Sequence, residues 1–117
     1  MKSGRNHRDA LTDIRDEILR IRQFVGSLER DGFVRDEKTH YAVVRSLEII
    51  GEAAKNVPDS VRARHPAIPW RLLAGMRDKL AHDYFGVNLD TVWTTVDKDL
   101  PQLATSINEL LDKETES

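Results

Sequence analysis

The chain has 117 residues, of which 39% are hydrophobic and 32% charged, and its formal net charge is −2. That length suits one domain with its own core, and no apolar run approaches the roughly 20 residues that a membrane span needs. The absence of cysteine excludes disulfides, thiolate metal sites and thiol nucleophiles. Because the N-terminus also lacks the apolar segment of a secretory signal, we expect a cytoplasmic protein.

The spacing of apolar residues predicts helices along almost the whole chain. Steps of three and four residues predict a first helix over Asp9–Arg30, ended by Asp31-Gly32, and a second over Asp36–Asn56. Pro58 stops the second helix or opens a short helix over Asp59–Arg64. The first three predicted elements are therefore two long helices and one short one.

Two further long helices complete the prediction. Pro69 is well placed to open a helix that ends near Phe85, with Gly86 supplying a left-handed residue. Asn88 is predicted to cap a last helix that reaches about Asp112, and Pro101 should kink it. We expect one all-α domain over residues 1–117: an antiparallel bundle of four long helices and one short helix, with tails at residues 1–8 and 113–117 that fray.

The predicted core follows from the apolar stripes of these helices. Gly51 and Gly75 lie inside helices, where each costs about 1 kcal/mol relative to alanine, and this favours a close crossing of the second and fourth helices there. Trp70 and Trp93 are predicted as core or interface aromatics. The stripes comprise Leu11, Ile14, Ile18, Ile21, Val25, Leu28, Val43, Leu47, Ile50, Ala54, Val57, Leu72, Leu73, Met76, Leu80, Leu89, Val92, Val96, Leu100, Leu103, Ile107 and Leu110.

Charge is distributed unevenly along the chain. Residues 62–82 carry five bases against one acid, whereas residues 83–117 carry two bases against eight acids. A basic segment of this kind suits a phosphate backbone, although a solvated surface is the commoner explanation of such charge.

The segment "MRDKLAHDYF", residues 76–85, brings Arg77, His82 and Tyr84 within eight residues. On an ideal helix Arg77 and Tyr84 share a face, but Arg77 and His82 are about 140° apart. For both to act on one target, the helix must unwind before His82, or a partner subunit must supply the second group.

These side chains suit cleavage of RNA by its own 2′-hydroxyl. An imidazole can move the protons, and a permanently charged guanidinium can stabilise the phosphorane, so no metal is required. Asp78 and the helix C-terminus should favour the imidazolium form of His82, which fits an acid role. From spacing alone, a surface arginine, a helix-terminal histidine and a half-buried tyrosine explain the same pattern.

The remaining histidines do not form a recognisable site. His7, His40 and His65 lack the spacing of metal ligands, so no metal site is predicted.

Four separated blocks within residues 45–103 resemble the HepT-type toxins of the HEPN superfamily: "LEIIGEAAK", "IPW", "GMRDKLAHDYF" and "VWTTVDKDLP". The resemblance implies a homodimeric helical bundle with the two motifs near the dimer cleft, and a metal-independent endoribonuclease without a cofactor. Arg77 and His82 match the catalytic pair of the family, and Asp78 matches the polar residue that usually follows the arginine.

The resemblance also implies a toxin of a type VII-like toxin–antitoxin system. Tyr84 matches the tyrosine onto which an MntA-type nucleotidyltransferase antitoxin transfers AMP from ATP. Each AMP group would add negative charge and bulk beside Arg77, so modification should silence the toxin.

Some basic residues outside the motif are candidates for RNA binding. The main candidates are Arg45, Arg71 and Lys79. Arg62 and Arg64 lie in the same basic stretch, residues 62–82, as Arg71 and Lys79. For Arg45, a salt bridge to a neighbouring helix is the simpler role.

Two other readings of the whole chain remain open at this stage. One is a non-catalytic nucleotide- or partner-binding module that serves a nucleotidyltransferase. The other is a structural helical dimer in which the motif residues lie on the surface and have no functional role.

Overall fold

The structure, a computed structural model, describes residues 7–75 and 88–116, and every regular element within these ranges is a helix. The all-α class predicted from the sequence is therefore confirmed for this part of the chain. Helix α5 begins at residue 70 and is described to residue 75. The other elements are α1 (His7–Val25), α2 (Arg30–Arg35), α3 (Glu37–Lys55), α4 (Asp59–Arg64), α6 (Leu89–Thr94), a π-helical segment (Thr95–Asp99) and α7 (Leu100–Glu116).

The core forms where α1 packs against both α3 and α7, while α2 packs against α3 and α6. The apolar stripes predicted well which residues this core buries. Of the stripe residues that the structure describes, all are buried or half-buried except Leu72, which is 61% exposed. Met76 and Leu80 lie outside the described residues. The stripe prediction was thus wrong only at Leu72, whose neighbour Leu73 is the residue of α5 that reaches the core.

The first helix is shorter than predicted. It ends at Val25 because Gly26 adopts the left-handed backbone conformation, with φ of 55°, and donates its N–H to the carbonyl of Arg22 at 2.9 Å. A residue of this kind, most often glycine, is the usual end of a helix. The prediction that the helix would run to Arg30 was therefore wrong.

A short helix that the sequence did not predict follows this turn. Asp31-Gly32, predicted as a helix end, lies inside α2. The helix buries Phe33 completely, with its ring centroid 5.3 Å from that of Trp93. The burial of this one aromatic side chain explains why the chain turns back towards the core at this point.

Helices α3 and α4 agree with their predicted bounds. Asp36 is the N-cap of α3 and accepts a hydrogen bond from the Thr39 N–H at 3.1 Å, and Asn56 is its C-cap. Pro58 is the N-cap of α4. An aspartate at the N-cap satisfies an N–H that has no partner within the helix, which is why this boundary was readable from sequence.

The C-terminal helical run begins as predicted. The Asn88 side chain accepts hydrogen bonds from the N–H groups of Asp90, at 2.9 Å, and Thr91, at 3.2 Å. The run continues to Glu116, beyond the predicted end near Asp112. A π-helical segment immediately precedes Leu100-Pro101. Because the proline ring crowds the carbonyl four residues earlier and provides no N–H, a wider turn just before it accommodates Pro101.

The predicted crossing at the two helix glycines is not supported on the α5 side. Gly51 is buried, and Ala53 and Ala54 beside it are buried as well. A Cβ added to Gly75, however, would meet no atom of the described residues within 4 Å. Close approach of another helix within the described residues therefore does not explain Gly75.

Candidate functional site

The motif that carries the functional prediction lies in residues 76–87, outside the described residues. This applies to Arg77, Asp78, Lys79, His82 and Tyr84. The predicted helix end at Phe85-Gly86 lies there too. The structure does describe the chain on both sides of this segment, as well as the remaining candidate residues.

Buried side chains hold the chain before this segment. Trp70 and Leu73 are 6% and 4% exposed. The Trp70 indole N–H donates a hydrogen bond to the carbonyl of His65 at 3.0 Å, which satisfies the one polar atom of a buried ring. Helix α5 starts one residue after Pro69, and the Leu73 N–H bonds to the Pro69 carbonyl at 3.0 Å. The start of the helix that leads to the motif is therefore anchored in the core.

Capping and an ion pair hold the chain after the segment. In addition to the Asn88 cap, Val92 is buried at the start of α6. The Arg30 guanidinium forms ion pairs with Asp90 of α6 and, at 2.8 Å, with Asp31 of α2. Both pairs are exposed and add little stability, but the pair with Asp90 joins α2 to α6.

Arg45 forms a salt bridge, though not the one predicted. Its side chain is 72% exposed and lies 3.4 Å from Glu48 of the same helix. The expected partner on a neighbouring helix was therefore wrong, because Glu48 one turn away satisfies the geometry of an i,i+3 pair. Arg71 is exposed on α5.

Arg62 has a structural role that its sequence context did not indicate. Its Nε donates to the carbonyl of Val57 at 2.9 Å, and its Nη2 donates to the carbonyl of Ala54 at 2.7 Å. The Ala54 carbonyl lies in the last turn of α3 and also accepts the Val57 N–H at 3.2 Å, and Val57 itself follows the C-cap Asn56. Arg62 thus joins α4 to the end of α3, and this structural role accounts for an arginine at this position without a contact to RNA.

A row of aromatic rings leads from the core to the surface of α3. Beyond Phe33 and Trp93, the ring of His40 lies edge-on to Phe33 with a centroid separation of 6.2 Å. Tyr41 stacks on His40 at 5.8 Å with 19° between the planes, and Tyr41 is 49% exposed. The sequence analysis did not single out Tyr41. Its position between Lys38 and Arg45, at steps of three and four residues, was the available signal.

A shallow groove of about 240 Å³ lies on the surface formed by residues 64–68 and α7. Arg64 and Lys113 line it together with Glu109. Within the described ranges, no three His, Asp or Glu side chains are grouped so as to hold a metal ion. The helices described there also include none that is long and apolar enough to cross a membrane.

Known proteins resemble this chain over most of its length. The family model described as "Ribonuclease HepT-like" matches residues 14–110. A protein of Thermococcus cleftensis named "Probable ribonuclease HepT" is 47% identical, over 91% of this chain and 96% of its own length.

Two further relatives agree with this result. A protein of Caldanaerobacter subterraneus subsp. tengcongensis, named as a "Putative RNase", is 45% identical over 92% of this chain and 96% of its own length. A "Putative RNase" of Methanocaldococcus jannaschii is 41% identical over 86% of this chain and 84% of its own length. No solved structure matches the chain.

The family match spans far more than half of the chain, and the relatives are matched along almost their full length. The family resemblance predicted from the four sequence blocks is therefore confirmed, as is the class of enzyme. The chain belongs to the HepT-like ribonuclease family of the HEPN superfamily.

Proposed function

We propose that the protein is a metal-independent endoribonuclease that cleaves RNA through Arg77 and His82 of a homodimer. The observation that carries this proposal is the family match over residues 14–110, which includes both positions. The anchored starts of α5, before the motif, and of α6, after it, support the proposal, because a catalytic segment needs a rigid frame on either side.

The proposed reaction is an internal transesterification. The ribose 2′-oxygen loses its proton and attacks the adjacent phosphorus, and the bond from phosphorus to the 5′-oxygen of the next nucleotide breaks. The leaving 5′-oxygen takes up a proton, so the products are a 2′,3′-cyclic phosphate and a 5′-hydroxyl. His82 transfers a proton and Arg77 stabilises the charge on the phosphorane. Asp78 supports the imidazolium form of His82.

The purified protein is expected to cleave RNA in the presence of EDTA and to leave 2′,3′-cyclic phosphate ends. Labelled RNA resolved on a denaturing gel, with the product ends identified by mass spectrometry, measures both features. Cleavage that stops on chelation, or products with 5′-phosphate ends, would contradict the mechanism. Tight binding of ATP or AMP without any RNA cleavage would favour a nucleotide-binding module instead.

The second part of the proposal concerns control of the enzyme. We propose that the protein is the toxin of a toxin–antitoxin pair and that an MntA-type nucleotidyltransferase silences it by transferring AMP from ATP to the Tyr84 hydroxyl. On a helix, Tyr84 and Arg77 would be two turns apart on one face. A phosphodiester and adenine there would oppose the charge of Arg77 and occupy the space of the RNA phosphate.

Co-expression with the nucleotidyltransferase should raise the intact mass of the toxin by one or more AMP units and abolish RNA cleavage. Tyr84→Phe should remove the mass increase and leave the toxin active in the presence of the nucleotidyltransferase and ATP. Tyr41→Phe is the matched control, because the chain has two tyrosines, and it should be modified and silenced like the wild type. Equal silencing of Tyr84→Phe by the nucleotidyltransferase and ATP would refute this form of control.

Arg71 and Lys79 complete the proposal as residues that contact RNA phosphates outside the reacting linkage. Arg71 is exposed on α5, so its side chain is accessible to a polyanion. Contacts of this kind raise affinity without a part in the chemistry.

A further inference from the structure

The exposed aromatic ring on α3 has a setting that suits a nucleobase. Tyr41 is 49% exposed although its ring stacks on His40, and His40 in turn packs against the fully buried Phe33. Neighbouring residues of a helix ordinarily point in different directions, so a stack between residues 40 and 41 constrains both rings. The orientation of the Tyr41 ring is therefore held from the core outwards.

Two exposed cations flank this ring on the same helical face. Lys38 lies three residues before Tyr41 and Arg45 four residues after it, and both are exposed. Arg45 pairs with Glu48, whose side chain is only 20% exposed, but the Arg45 side chain is 72% exposed and the 3.4 Å separation is long, so the pair is weak. A phosphate can therefore compete for the guanidinium, which has donors left over for it.

This face matches the chemistry of single-stranded nucleic acid. Sites for single strands combine aromatic rings, on which bases stack, with cations that contact the phosphates on either side. A base held inside a double helix cannot reach such a ring, whereas an unstacked base can. A preorganised ring also loses little conformational freedom on binding.

We infer that Tyr41 is a stacking platform for an unpaired base of the RNA substrate, with Lys38 and Arg45 as its phosphate contacts. The inference rests on the proposed function for the identity of the substrate. It assigns Tyr41 a positioning role and no part in proton transfer. It also implies that the enzyme prefers single-stranded or looped RNA over a duplex.

Binding is measured by fluorescence anisotropy of a short labelled single-stranded RNA with the full-length protein. Tyr41→Ala should weaken binding about tenfold, the range expected for loss of one stacked base. Tyr41→Phe and Tyr41→Trp should bind as the wild type does, because they keep the ring face. Phe24→Ala is the matched control, since Phe24 is 40% exposed on α1, and it should have no effect.

The charges are tested by the salt dependence of the same binding curve. Lys38→Gln and Arg45→Gln should each lower the slope of log affinity against log salt by about 0.7, the value for one phosphate contact of a single strand. Arg22→Gln, on the exposed side of α1, should leave the slope unchanged. In cleavage assays Tyr41→Ala should raise KM and leave kcat within about twofold, as expected for loss of uniform binding.

Several results would overturn the inference. One is unchanged RNA binding by Tyr41→Ala, and another is a loss of RNA affinity in Tyr41→Phe as large as that in Tyr41→Ala. A third is a change in the oligomeric state of Tyr41→Ala, measured by light scattering, which would make Tyr41 a subunit contact. The proposed function fails separately: a wild type that binds RNA through Tyr41 but cleaves none retains this inference and loses the ribonuclease mechanism. If the wild type cleaves RNA and Tyr41→Ala binds and cleaves it equally well, the proposed function stands and this inference fails.

Discussion

His82→Ala is expected to lower the rate of RNA cleavage by about 10²–10⁴, the contribution of a positioned proton-transfer group. Arg77→Ala should lower it by about 10²–10³, because it removes a preorganised charge from the phosphorane. The two losses should not add in the double variant, since both groups act on one transition state. Single-turnover cleavage at saturating enzyme measures these effects on the chemical step.

Matched controls separate a catalytic loss from a general effect of substitution. His7→Ala and Arg22→Ala change the same residue types on α1 and should retain activity. All variants should keep the wild-type helical circular dichroism and oligomeric state. Activity of His82→Ala near that of the wild type, with folding intact, would remove His82 from the mechanism.

Mixing Arg77→Ala with His82→Ala tests whether the arginine and the histidine of one active site come from the same subunit or from different subunits. If Arg77 of one subunit acts with His82 of the other, a heterodimer of Arg77→Ala and His82→Ala contains one intact site. Half of a random mixture is heterodimer, so after subunit exchange about a quarter of wild-type activity should return. If both groups act from one subunit, through unwinding before His82, every mixed site lacks one group and no activity returns.

Leu11→Ala is expected to cost about 2–5 kcal/mol of unfolding free energy, the range for deletion of a fully buried leucine. Leu11 is 0% exposed on α1, the helix that packs against both α3 and α7. The loss is a large part of the stability of a small domain. Urea unfolding at one fixed protein concentration, followed by circular dichroism, measures it.

The same substitution on the other face of α1 is the control. Leu19 is 48% exposed, so Leu19→Ala should cost under about 1 kcal/mol. Helix propensity changes identically in the two variants, so the difference between them reports burial alone. Equal losses would mean that the Leu19 face is covered in solution, for example by a second subunit.

The sequence by itself determined the features that depend on local rules. The caps at Asp36 and Asn88 follow from side-chain hydrogen bonds to helix ends, and the start of α4 follows from Pro58. The apolar stripes of α1, α3 and α7 follow from helical periodicity, which places residues three and four apart on one face. The family followed from four short blocks in order, because such a combination rarely arises by chance. None of these required knowledge of which helix packs against which.

Tertiary structure decided the features that depend on residues distant in the chain. Helix α2 exists around Phe33 because Trp93, sixty residues later in sequence, is there to cover its ring. Arg62 reaches back to the end of α3, so its basic side chain serves a helix terminus. The row of rings from Trp93 through Phe33 to His40 and Tyr41 was equally unreadable from sequence, because helical periodicity indicates a face but not what packs against it. Packing partners are set by the whole fold, whereas helix ends and stripes are set within a few residues.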